Sequence, residues 1–219
     1  MYTVEIVEGQ VGVQKENGGL WASLRDCAQV GAMTLPGLLL RVIWESVALV
    51  PRVLGGETPR KIKMKFLPLA AMYSILARKA PPEAAEEAVR RTLFAAAMDE
   101  NRVVFAPAMK SPGVGAITAN YEQVHKGPGR HQRVRYEQST GTAFQFAVTD
   151  CIFVRSLREL DIEFAAVAMC DADREFWGRL LQGSGVQFSK SERTIARGGS
   201  CCRSLFAAGV EPRDAAAAV

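Results

Sequence analysis

Between Cys151 and Cys202 the chain carries the residue types from which a small reaction centre can be built. Thiols recur at Cys151, Cys170 and Cys202. Asp171 and Asp173 follow Cys170, and Arg193-Thr194 precede the turn Gly198-Gly199 and the pair Cys201-Cys202. A thiolate can attack an electrophilic carbon, a carboxylate can move protons, and a guanidinium can hold an anionic group. On this reading Cys170 and Cys202 are the candidate nucleophiles and Asp173 the candidate acid–base group. Arg193, Thr194, Cys151 and Trp177 are the candidate substrate contacts. Each also has a plainer reading. Free cysteine is among the most buried residue types and often only packs, which is the reading preferred for Cys27. Asp171 suits a helix cap, Arg193 can pair with Glu192, and Gly198-Gly199 can be only a hairpin turn.

No metal or cofactor is expected. Cys151, Cys170 and Cys202 lack the close spacing that marks a zinc site, and adjacent Cys201 and Cys202 point to opposite faces if they lie in a strand. His125 and His131 flank the turn Lys126-Gly-Pro-Gly-Arg130. With Arg133 and Arg135 they read as a solvated basic loop rather than a nucleic-acid surface, because few aromatic residues are interleaved. The phosphate-loop, dinucleotide-binding and nucleophile-elbow signatures are absent.

These residues need a scaffold, and the pattern points to an α+β fold, a helical N-terminal portion packed on an antiparallel sheet with a C-terminal helix and hairpin. Trp21–Ala32, Pro36–Leu54 and Leu67–Lys79 read as helices, as does a stretch that Pro81-Pro82 start and that runs to about Met98, with Thr58–Lys65 a basic connector. In the last of these helices Glu83, Glu86 and Glu87 precede Arg90 and Arg91, which suits the helix dipole and four-residue ion pairs. Residues 99–115 read as loop. Alternation at Ile117, Ala119, Tyr121 and Gln123 and again at Val134, Tyr136 and Gln138, with the aromatic and β-branched residues of Thr142–Cys151, suggests an antiparallel meander of about three strands. Phe153–Leu160 reads as a short helix, Phe164–Cys170 as a strand or buried helix, and Asp171–Leu181 as a helix capped by Asp171. Val186–Ala196 and Cys202–Ala208 read as a hairpin. The expected organisation is an N-terminal helical extension over 1–60, an α+β catalytic-type domain over 61–208 and a disordered tail over 209–219, with Tyr2–Val7 a short strand.

Of the 219 residues 48% are hydrophobic, enough to bury a sizeable core. The net charge of +4 is too small to argue for nucleic acid. Five cysteines, an odd count, with no secretory leader recognised, argue against a disulfide framework and for a reducing, cytoplasmic setting. Leu35–Leu54 is the most apolar stretch. Arg41 and Glu45 interrupt it, so it is not expected to be an integral membrane span. It is either buried, or a surface for a membrane or for self-association as a homo-oligomer.

Cys170-Asp-Ala-Asp173, Arg193-Thr-Ile-Ala-Arg-Gly198 and Cys202 resemble the C-terminal pattern of the L-2-amino-thiazoline-4-carboxylate hydrolase family, with Cys151 in the place of its first cysteine. The helices bearing Tyr73 and Glu83–Met98 also resemble its helical portion, and the likeness covers residues 62–208. The resemblance implies a small-molecule substrate and hydrolytic opening of a cyclic C–N bond in a sulfur heterocycle. Two places depart from the family pattern. Gly199 stands where an acidic residue is usual, and Arg203-Ser204 stand for an Asp-Phe pair, which reverses the local charge. A relative recruited to a biosynthetic pathway with a different ring substrate fits these departures. The alternative is a non-catalytic binding domain with a pocket lined by Phe144, Phe146, Phe153 and Trp177.

Overall fold

The structure is a computed structural model that describes residues 3–7, 10–14, 20–127 and 132–209. In chain order its elements are β1 (Thr3–Val7), β2 (Gln10–Gln14), α1 (Leu20–Val30), α2 (Leu35–Leu54), α3 (Arg60–Ala77), α4 (Pro82–Val104), α5 (Ala106–Met109) and α6 (Val114–Lys126). There follow β3 (Arg133–Ser139), β4 (Ala143–Asp150), α7 (Ile152–Glu159), α8 (Ala166–Leu180), β5 (Val186–Lys190) and β6 (Cys202–Ala208). The class is α+β, with the long helices early and the main sheet late. The chain divides into two compact units, Met1–Glu100 with Ile152–Ala172, and Asn101–Cys151 with Asp173–Val219. The division falls inside α4 and inside α8. The tail expected to be disordered lies outside the described residues, apart from Gly209.

In the first unit, β1 and β2 pair antiparallel, so the segment expected as loop after the first strand holds a second one. Thr34 caps α2 by accepting a hydrogen bond from the Gly37 N–H at 3.2 Å, and Pro36 sits in the first turn where its missing N–H costs nothing. In α4 the predicted pairs form, Arg90 to Glu86 at 2.7 Å and Arg91 to Glu87 at 3.2 Å. Leu38, Met72, Leu76, Val89 and Leu157 fill the core. Burying each such side chain stabilises the fold by about 1.5–3 kcal/mol. The Arg90 guanidinium lies over the Phe164 ring, 5.4 Å from its centroid.

The basic connector expected at Thr58–Lys65 is instead largely the start of α3. The reason is Lys63, whose side chain is wholly buried. Its ammonium donates to Glu159 Oε2 at 2.8 Å, to the Arg52 carbonyl at 3.2 Å and to the Gly55 carbonyl. Glu159 also accepts from the Thr58 hydroxyl at 2.6 Å and from the N–H groups of Thr58 and Glu57 at 3.0 and 3.2 Å. Gly56 has φ of 74°, and a Cβ there would run into the Glu159 carboxylate, so glycine is what lets the backbone wrap around it.

The second unit is built on a four-stranded antiparallel sheet of order β3-β4-β6-β5. The hairpin expected from Val186 and Cys202 is present as β5 and β6. Its first strand stops at Lys190, so Arg193 and Thr194 lie in the connection rather than in the strand. The three-stranded meander is corrected to two strands, because Ile117–Gln123 is in α6. Val114, Ile117, Asn120 and Tyr121 are its buried residues, spaced at helical intervals that compete with the period of two. Residues 99–115 are not a simple loop. α4 continues to Val104, and Pro107 opens the short α5. Asp171 is not a cap, since α8 begins at Ala166 after a 3-10 turn at Glu163–Ala165. Phe105, Tyr121, Phe144, Phe146, Phe176, Trp177 and Phe206 are all buried and form an aromatic core.

Candidate active site

The inner face of the sheet changes character along its length. Side chains alternate along a strand, so residues of one parity share a face. The cross-strand row Phe144–Phe206–Phe188 is wholly aromatic. The next is Phe146–Ser204–Lys190, and the last pairs Val148 with Cys202. Ser204 and Cys202 are buried. The apolar face therefore ends in a hydroxyl, an ammonium and a thiol.

The carboxylate comes from the middle of α8. Asp173 Oδ2 accepts from Lys190 Nζ at 2.6 Å, and Oδ1 accepts from Asn101 Nδ2 at 3.0 Å. The Lys190 side chain is 7% exposed and that of Asp173 37%. The ammonium is thus enclosed while the carboxylate still meets solvent. A carboxylate has about four acceptor positions, and these two donors leave capacity for a ligand. Arg174 Nη2 donates to the Ser191 carbonyl at 2.7 Å, which ties α8 to the end of β5. Behind the pair, the Tyr121 hydroxyl accepts from the Trp177 indole N–H at 3.0 Å. Burial, and after it the charge of Asp173, pushes the Tyr121 phenol well above its usual range.

The connection between β5 and β6 folds over Cys202. The Cys202 sulfur accepts the Ile195 N–H at 3.1 Å. The Thr194 carbonyl accepts from Arg197 N–H at 2.9 Å and Gly199 N–H at 2.8 Å. A Cβ at Gly199 would collide with the Arg193 carbonyl, so this close return requires glycine. Thr194 is fully buried, and its hydroxyl oxygen has no hydrogen-bond partner. A buried polar group left unpaired is uncommon and asks for an explanation.

Asp173, Trp177, Thr194, Arg193, Cys151 and Cys202 all belong to the second unit. Trp177 is wholly buried among Phe105, Tyr121, Phe176 and Phe206, with ring centroids 4.8–5.8 Å away, so it supports the Asp173 helix from behind. Arg193 is exposed, one residue before Thr194, and Cys151 is half-buried just past β4. Cys170 is buried on α8, three residues before Asp173, but falls in the first unit. Of the aromatic residues expected to line a pocket, Phe144, Phe146 and Trp177 are core residues of the second unit. Phe153 belongs to the first, where its ring meets Phe66 edge-on at 6.0 Å. Cys27 packs, its sulfur 3.2 Å from Thr92 Oγ1, and burial pushes its thiol pKa up. His125 lies in the last turn of α6, not in a hairpin loop, with Nδ1 2.9 Å from the Tyr136 hydroxyl. Its pKa is lowered by burial. His131 is outside the described residues. Among the described residues no three His, Cys, Asp or Glu side chains are grouped as a metal site would need.

Lys190, Asn101 and Ser204 were not singled out from sequence. A signal for Lys190 was present. Val186, Phe188 and Lys190 share parity, which places a lysine on the apolar face of its strand. The charge change at Arg203 falls on the outer face, where Glu137 meets it at 3.4 Å, while Ser204 occupies the inner one.

The second unit thus carries a lysine–aspartate pair at the polar end of an otherwise aromatic sheet face. The chain belongs to the L-2-amino-thiazoline-4-carboxylic acid hydrolase family, whose sequence pattern matches residues 59–206. No curated protein and no solved structure matches the chain significantly.

Proposed function

We propose that the protein is a hydrolase that opens a ring C–N bond in a small thiazoline-type carboxylate or a related heterocycle, with Asp173 as the proton-transferring group. The observation that carries this reading is the Asp173 carboxylate itself, open to solvent and held from both oxygens by Lys190 and Asn101. In this scheme water adds to the amidine-like carbon and gives a proton to Asp173. The C–N bond then breaks as the added hydroxyl becomes a carbonyl: Asp173 passes its proton to the departing nitrogen, takes up the hydroxyl proton and releases it to solvent. Lys190 and Asn101 fix the direction of the carboxylate. Arg193 binds the substrate's carboxylate, and the Thr194 hydroxyl gains on ligand binding the partner it otherwise lacks. Cys151 borders the site and Trp177 backs it.

For the thiols, the burial of Cys202 and Cys170 supports a shaping role over attack. Nucleophilic attack by Cys202 or Cys170 is the competing scheme. The test is turnover of 2-amino-thiazoline-4-carboxylate, with products weighed by mass spectrometry. Asp173→Asn should lower it by about 10²–10⁴-fold in a folded protein, whereas Cys202→Ala should stay within about tenfold of the wild type. A fully active Asp173→Asn variant would sink the scheme. Saturable binding of the ring compound without any product would favour the non-catalytic alternative.

A further inference from the structure

Six of the nine large apolar side chains left exposed among the described residues lie on α1 and α2. Leu40, Ile43, Trp44, Val47 and Leu54 are 69%, 65%, 80%, 64% and 54% exposed, and Trp21 on α1 is 58% exposed. The α2 residues recur at three- and four-residue steps, so they form one outward stripe. The opposite side of the helix is occupied, since Leu38 and Val53 are buried and Glu45 is bound by Ser74 of α3 and by Arg78 at its end, at 2.7 and 2.8 Å. α2 is therefore apolar on two sides, and only one of them faces its own fold.

The charges beside the stripe indicate what covers it. Glu45 is turned to α3, which leaves Arg41 and Arg52 along its edge and Arg25 on α1. Arg52 meets Asp161 in a surface pair at 2.6 Å, and Asp26 is the exposed acid of α1. Two exposed tryptophans beside a cationic edge suit the headgroup level of a bilayer, where an indole ring has one apolar and one wet side. Crossing is a different matter. No single described helix is long and apolar enough, and α1 and α2, which together reach that composition, are bent by 89° at the break between them.

We infer that the outward face of α2, with Trp21, lies flat on an anionic phospholipid surface. The attraction combines apolar burial with the pull of the arginines, so it needs acidic lipid and weakens in salt. The test is flotation of the full chain with vesicles of phosphatidylcholine alone, and with about 30% phosphatidylglycerol added. The expected result is binding to the anionic vesicles at least ~10-fold above the neutral ones, reduced by high salt. Ile43→Glu with Trp44→Glu should remove it while far-UV circular dichroism and the melting temperature stay unchanged, because both side chains are exposed. Leu40→Ser is a milder second variant and should weaken it. Failure to float with anionic vesicles overturns the inference, as does equal binding by the double variant. A wild-type dimer that the double variant converts to monomer, without vesicle binding, would overturn it by naming a second copy as the occupant.

Discussion

Each unit of this protein contains a lysine–carboxylate pair whose ammonium is buried, and the two pairs are finished differently. In the first, Lys63 meets two backbone carbonyls as well as Glu159, and Glu159 collects donors from Thr58 and Glu57. Its acceptors are filled from within the fold. In the second, Lys190 holds an Asp173 that has one further donor, Asn101, and remains 37% exposed. A saturated pair can only hold chain segments together. An unsaturated one has lone pairs left for a molecule that arrives from solvent. Lysine paired with a carboxylate thus serves as a clasp in one region and as a candidate reaction group in the other.

Substitutions can break that contrast. The largest effect expected is on turnover. Asp173→Asn should lower kcat by about 10²–10⁴-fold, the usual contribution of a positioned acid–base group, with little change in melting temperature. Lys63→Met should act in the opposite sense. Removing one partner of a buried pair costs about 3–5 kcal/mol, and the partial exposure of Glu159 puts the loss near the lower figure, measured by urea unfolding. Lys190→Met should cost only about 1 kcal/mol, because Asp173 can turn to water, and yet impair turnover. Equal stability losses at the two lysines would erase the distinction.

Acid should probe the first pair. Burial raises the Glu159 carboxyl, but hydrogen bonds from Lys63 and Thr58 and the charge of Lys63 outweigh it and hold the pKa at about 2. A carboxylate whose pKa is lower folded than unfolded contributes stability above its unfolded value of about 4.5, and that stability is lost as pH falls toward 2. Melting temperatures from pH 5 down to pH 2 should therefore fall more steeply in the wild type than in Glu159→Gln. The smallest expected effect is at Thr194. Thr194→Val removes a buried hydroxyl that has no partner, so stability should change by no more than about 0.5 kcal/mol or rise slightly. A raised KM in that variant would tie the hydroxyl to substrate.

The parts legible in the sequence were those written over short distances. The Glu86–Arg90 and Glu87–Arg91 pairs, Pro36 in a first turn and the alternation of Val186 and Phe188 each depend on neighbours within a turn or a strand. The misreadings share a different cause. Tyr121 fits both a period of two and the helical set Val114, Ile117, Asn120, so a short window cannot choose between them. Asp171 has the side chain of a cap but stands one turn inside a helix that Ala166 begins. The candidate site was half legible. Cysteine, aspartate and arginine announce their chemistry by type. Lys190 and Asn101 acquire theirs only when a strand end and the end of α4 meet α8, a pairing that no local pattern records.

The Tyr121 phenol, enclosed behind Asp173, sets a limit at the other end of the pH scale. A phenol that ionises far less readily when folded than when unfolded draws the chain toward the open form once alkali passes the ordinary tyrosine range of about 10. Its absorbance should then appear not as a smooth titration but together with the loss of near-ultraviolet ellipticity. The second unit would carry its own alkaline fuse, and the wavelength at which tyrosinate absorbs would show the moment it opens.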